Sequence, residues 1–113
     1  METMEQDRRK HIRVRTDAPI SFWFLDNPSA PPAGSVMTDL SERGVRFLSG
    51  KFMPLCSHLV IELALPVPWR FVKVIAKVVW VRRASLGGKH ETGCKFILLS
   101  PKDFRVVSEY MEK

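Results

Sequence analysis

The feature that most constrains this fold is a series of six short runs, rich in β-branched and aromatic residues, each closed by turn-forming residues. Ile20, Phe22 and Phe24 alternate with Ser21, Trp23 and Leu25, the period-two pattern of a strand with both faces at least partly covered. Pro28, Pro31, Pro32 and Gly34 break that run into a loop. A second strand is predicted over 35–40 and a third over 44–48, and Ser41, Glu42 and Arg43 between them are few enough for a hairpin. Residues 50–54 form another loop. Leu59, Ile61, Leu63 and Leu65 mark a fourth strand, ended by Pro66 and Pro68. The longest run follows from Phe71 to Val81 and leads through Arg82 and Arg83 into a turn at 85–88. A sixth strand spans 91–98, with Cys94, Phe96 and Leu98 assigned to one face.

Six strands at this spacing predict an antiparallel barrel or sandwich. The C-terminus differs: Ser100 offers a helix N-cap, Pro101 the first helical position and Asp103 an acid in the first turn. A helix is expected over about 101–112, its apolar stripe made by Phe104, Val107 and Met111. That stripe closes an end or side of the sheet. The fold class is therefore all-β with one C-terminal helix. At 113 residues and 45% apolar content, the chain fills one core and leaves no second folded module.

Residues 1–15 are polar and lack periodicity, so they are expected to form a flexible basic arm on a domain spanning 16–113. Arg8, Arg9, Lys10, Arg13 and Arg15 fall in a stretch without acids, which concentrates the net charge of +6 near the N-terminus and favours an anionic partner. No apolar segment reaches the length of a membrane span, because Glu62, Arg70, Lys73 and Lys77 interrupt the richest region. Neither is there the apolar core of a signal peptide. A cytoplasmic location is expected, with Cys56 and Cys94 as buried, reduced thiols.

Catalytic and metal chemistry find little support. Ser41 lies in no nucleophile-elbow pattern and has no evident His base. His11, His58 and His90 are scattered, and His90 with Cys94 would supply only two ligands to a metal. A binding protein, and not an enzyme, is expected.

Two short motifs carry the functional signal: Arg9 and Arg13 in the pattern RxxxR, and Asp39, Ser41 and Gly44 in DxSxxG. Arg13 and Asp39 are 26 positions apart. In order, separation and β-rich setting the pair resembles the PilZ domain family, whose cyclic di-GMP site is built from these two motifs. Val78-Val79-Trp80 and the stretch from Thr92 to Phe96 resemble the family's later strands, so the likeness runs from Arg8 to about Leu98. It implies a six-stranded antiparallel split β-barrel that binds cyclic di-GMP without a cofactor. It also implies a receptor or adaptor passing the signal to an unidentified downstream protein, with Arg8, Arg9, Arg13, Asp39, Ser41 and Gly44 in the ligand site.

The ligand's chemistry suits these residues independently. Cyclic di-GMP presents two phosphates and two guanines, and a guanidinium can bond a phosphate bidentately, pair with guanine O6 and N7, or stack on a purine. Asp39 can accept from guanine N1 and N2, and Ser41 can bond a polar edge. Gly44 allows close backbone approach or an unusual dihedral. Trp80 is a candidate stacking face if its ring lies outside the core, while Arg43 and Arg46 are weaker candidates for direct contact. In the family, an arginine at the position of Arg8 goes with an intercalated ligand pair, which implies two copies per chain. The plainer alternatives are a solvated arginine run and turn-forming roles for Asp39 and Ser41. A small nucleic-acid-binding barrel fits the charge equally, but leaves Asp39 without a purpose. A protein-binding adaptor without ligand leaves both motifs without one.

Overall fold

The computed structural model describes residues 13–50, 52–66, 68–84 and 87–112. The elements are β1 (Val14–Arg15), β2 (Pro19–Phe24), β3 (Ala33–Leu40), β4 (Gly44–Ser49), β5 (His58–Leu65), β6 (Arg70–Arg83), β7 (His90–Leu98) and the helix α1 (Pro101–Met111). All neighbouring strands pair antiparallel, in the order β3-β2-β5-β6-β7-β4, and β4 pairs back onto β3 to close the ring. The six long strands thus form a closed barrel, the architecture expected from the turn spacing.

Two-residue β1 extends the edge of β2 along β3, pairing Val14 with Leu40 and Arg15 with Asp39. Among the described residues, strand pairing begins at Val14, inside the segment assigned to the arm. Residues 1–12, including Arg8 and Arg9, lie outside the described residues, as do Ser85 and Leu86 of the predicted turn.

Alternate residues of each strand fill the interior, because a strand's side chains point to opposite faces in turn. Leu59, Ile61 and Leu63 of β5 pair with Ala76, Val74 and Val72 of β6, and these six are buried together with Leu65 and Val78. Phe22 and Phe47 cross the interior with ring centroids 5.0 Å apart. Each buried Val, Leu, Ile or Phe side chain contributes about 1.5–3 kcal/mol, so the barrel interior is the main source of stability.

Three bulges interrupt this alternation. Met37 pairs with Phe47 and Asp39 with Arg46, leaving Thr38 as an extra residue on β3. Val78 pairs with Cys94 and Trp80 with Gly93, which makes Val79 the extra residue on β6. On β7, Leu98 faces Ile75 and Phe96 faces Ala76, so Ile97 is extra. A one-residue bulge moves every later side chain to the opposite face. Cys94 and Leu98 therefore do not share a face as the sequence predicts: Cys94 is buried and Leu98 is 64% exposed.

The helix begins as expected, with the Ser100 hydroxyl accepting from the Asp103 amide at 3.1 Å and Pro101 in the first turn. Its buried face differs from the prediction. Val107 is buried, with Val106, Tyr110 and Met111 packed against the core, while Phe104 is exposed. Polar bonds fix this rotation: Ser108 donates to the Glu42 carboxylate at 2.7 Å, and the Tyr110 and Thr16 hydroxyls lie 2.6 Å apart.

The cysteines also divide. Burial pushes the Cys94 thiol up to about 12, but Cys56 is exposed. Its φ of 67° places it at a tight turn, closed by the Ser57 hydroxyl donating to the Pro54 carbonyl at 2.7 Å. That turn carries the side chain outward. No helix among the described residues is long and apolar enough to cross a membrane, and no group of three metal-ligating side chains occurs among them.

Candidate ligand-binding site

The β3 bulge at Thr38 decides where Asp39 points. Met37 and Leu40 are both buried, which strict alternation forbids for residues three apart, and the extra residue resolves the conflict by turning Asp39 outward. The β6 bulge at Val79 does the same for Trp80. Without it Trp80 would face Thr92 and the barrel interior; with it, Val81 takes that place and Trp80 lies against Gly93 on the outer surface.

The two bulges build one row across five strands. Arg15 pairs with Asp39, Asp39 with Arg46, Arg46 with Gly93, and Gly93 with Trp80. Arg13 Nη1 donates to Asp39 Oδ1 at 2.7 Å, and Arg46 Nη1 lies 3.3 Å from Asp39 Oδ2. One carboxylate therefore holds two guanidinium groups, each still about a third exposed. Arg46 extends over Trp80, with Cζ 5.5 Å from the ring centroid, and Arg82 approaches the same ring at 5.3 Å. Both distances are within cation–π range.

A second acid closes the row. Glu91 accepts from Arg82 Nε at 2.9 Å and from the Thr38 hydroxyl at 3.1 Å. Burial pushes its carboxyl up, but these bonds and the positive field of Arg82 and Arg46 outweigh that and hold it below the usual glutamate range. The bulge residue Thr38 is thus tied to β7.

The DxSxxG motif divides into two roles. Asp39 faces the row, whereas Ser41 is buried beneath the hairpin turn. The Ser41 hydroxyl accepts from the amides of Arg43 and Gly44, both at 3.1 Å, and the Ser41 amide donates to the Gly44 carbonyl at 2.9 Å. Gly44 is buried, and a Cβ there would run into the Cys94 carbonyl on β7. Its lack of a side chain serves the approach of two strands.

Gly93 acts likewise toward Trp80, since a Cβ at Gly93 would collide with the indole. The ring can lie flat on the sheet only because residue 93 is glycine. Gly93, Arg46, Arg82 and Glu91 are absent from the residues expected at the site or ranked low there. Arg46 was accessible from hairpin register, because a tight turn at 41–43 sets residue 46 opposite residue 39. A lone glycine inside a strand is the signal for Gly93.

The PilZ domain model matches residues 7–113, nearly the whole chain. The chain belongs to the PilZ domain family. Solved PilZ-fold structures agree in architecture. The Bacillus subtilis inhibitor of motility MotI/DgrA matches at a TM-score of 0.78 and 14% identity, over 93% of this chain and 49% of its own. The present chain therefore spans about half the length of that protein. The PilZ domain of YcgR from Escherichia coli, solved with c-di-GMP, matches at 0.72 and 17% identity over 93% of this chain and 89% of its own. The K. pneumonia MrkH–c-di-GMP complex matches at 0.60 and 18% identity over 90% and 50%. No curated protein matches the chain. At these identities the structural likeness establishes the PilZ fold alone.

Proposed function

We propose that this PilZ domain is a cyclic di-GMP receptor that acts as an adaptor without catalysing a reaction. The observation that carries this reading is the 2.7 Å contact between Arg13 and Asp39, which joins the last residue of RxxxR to the first of DxSxxG on the outer face. PilZ structures containing c-di-GMP among the similar folds support the choice of ligand.

In this reading the ligand lies along the row from Asp39 to Trp80. Asp39 accepts from the guanine N1 and N2 donors, Arg13 and Arg9 bond phosphate and the guanine Hoogsteen edge, and Trp80 supplies a stacking plane. Ser41 and Gly44 act by shaping the turn that presents Asp39. The arm closes over the hairpin and forms a new surface for a downstream protein. Ordering about eight residues costs on the order of 8–12 kcal/mol of backbone entropy, so several charge-assisted contacts are required.

Arg8 brings a further charge and stacking plane next to Arg9, and two ligand copies per chain follow from that position. Calorimetry with cyclic di-GMP, and with GTP and a short oligonucleotide as controls, tests the whole reading. Specific saturation at two equivalents is expected for the wild type and at one for Arg8→Leu. Binding of the oligonucleotide alone would replace the receptor with a nucleic-acid-binding barrel, and a single equivalent in the wild type would remove the second copy.

A further inference from the structure

The β7 bulge at Ile97 creates a second outer row, distant along β6 from Trp80. Trp23 on β2 pairs with Val60 on β5, Val60 with Ile75 on β6, and Ile75 with Leu98 on β7. These four side chains line a groove of about 440 Å³, with Lys73 and Ser100 at its margin. Single exposed apolar residues are ordinary on protein surfaces; a contiguous row is not. Val60 is only 8% exposed yet lies outside the core cluster, so its cover comes from the outer surface. Leu98, at 64% exposure, stands at the end of the row.

Charge frames the groove on both sides. His58, Lys77 and Lys95 are consecutive partners in the next row, and neither lysine forms an ion pair among the described residues. On the other side Lys73 reaches over Trp23, its Nζ 5.7 Å from the ring centroid. Glu62, opposite Lys73, is the only acid in these rows. Because β2, β5, β6 and β7 each have strand partners on both edges, a peptide cannot dock here by adding a strand. Four strands span about 14 Å, the rise of about nine helical residues, which matches apolar anchors at i, i+3 or i+4, and i+7.

We propose that this face docks an acidic amphipathic helix of a partner protein, apolar anchors in the Trp23–Leu98 groove and carboxylates against Lys73, Lys77 and Lys95. The proposal rests on the reading of the domain as an adaptor, and it adds a preformed surface separate from the one created by arm closure.

The chain's three tryptophans allow both sites to be read at once. With 5-fluorotryptophan incorporated, ¹⁹F NMR follows Trp23 in the groove, Trp80 in the ligand row and the exposed Trp69 as a control. The probe is a synthetic helix of about 18 residues carrying leucines on one face and glutamates flanking them, compared with the same peptide carrying lysines for the glutamates. The acidic peptide is expected to shift Trp23 saturably, and the basic one to bind at least about 10-fold more weakly. Leu98→Glu and Lys77→Glu, both at outward-facing positions, should each weaken the acidic peptide about 10-fold while cyclic di-GMP still shifts Trp80. No shift at Trp23, or equal affinity for the two peptides, would overturn the docking surface. A Trp23 shift that grows with protein concentration alone and vanishes in Leu98→Glu would assign the face to a second copy and also overturn it. A Trp23 response to the acidic peptide together with a flat calorimetric titration with cyclic di-GMP would uphold the surface and reject the receptor.

Discussion

Arg13 Nη1 lies 2.7 Å from Asp39 Oδ1, so the two sequence motifs meet through one charged pair on the outside of the barrel. With Arg13 about a third exposed, such a pair adds only about 0–1 kcal/mol to stability after solvent screening. Its consequence is positional: the carboxylate is aimed at the surface and two arginines are gathered around it.

Arg13→Ala and Asp39→Ala should therefore separate binding from folding. Each is expected to change the stability measured by urea unfolding by no more than about 1 kcal/mol. Affinity for cyclic di-GMP in calorimetry should fall by about 10- to 150-fold, the loss of one charge-assisted hydrogen bond of about 1.5–3 kcal/mol. Arg9→Ala should match them. Unchanged isotherms in all three would remove the ligand from this face.

Ser41→Ala and Gly44→Ala should show the opposite balance. The first leaves two amides of the turn without their acceptor, a loss of about 1–3 kcal/mol. The second drives a methyl group into the Cys94 carbonyl and should cost at least about 3 kcal/mol. Urea midpoints measure both. A Gly44→Ala protein as stable as the wild type would show that β4 and β7 are not held this closely.

Gly93→Ala isolates Trp80 from the charged groups. The added methyl group displaces the indole, which is only half-buried and can swing outward, so the loss of stability should be smaller than for Gly44→Ala. If Trp80 stacks on a guanine, affinity should drop by about 5- to 150-fold, equivalent to about 1–3 kcal/mol per base. A displaced Trp80 resonance with unchanged affinity would exclude the ring from the site.

Glu91 predicts an acid-dependent loss of stability. Its carboxyl titrates below the usual glutamate range in the folded protein, so the folded state binds this proton less readily than the unfolded chain. The stabilisation is complete above the ordinary glutamate pKa and disappears as pH falls through the depressed folded value. Urea midpoints between about pH 6 and about pH 3 should fall less steeply in Glu91→Gln than in the wild type. Equal slopes would mean that the bonds from Arg82 and Thr38 do not favour the charged form.

What the sequence by itself determined is the content of this protein: six strands placed by their turn residues, a helix opened by Ser100 and Pro101, and two motifs whose side chains suit an anionic guanine ligand. These signals are local, since Pro, Gly and cap residues act on their own backbone. The facing of Asp39, Trp80 and Leu98 was not legible, because alternation read along one strand assumes an unbroken register. Thr38, Val79 and Ile97 break it, and a bulge exists only as a mismatch between paired strands. The turn-forming role of Ser41 was legible, because its bonds are local, but the strand behind Gly44 was not. The Ser41 hydroxyl closes the turn and Gly44 admits the Cys94 backbone, and the second contact exists only once β4 and β7 pair. Tertiary pairing thus decided which residues reach the surface together, because register belongs to two strands at once and is written in neither alone.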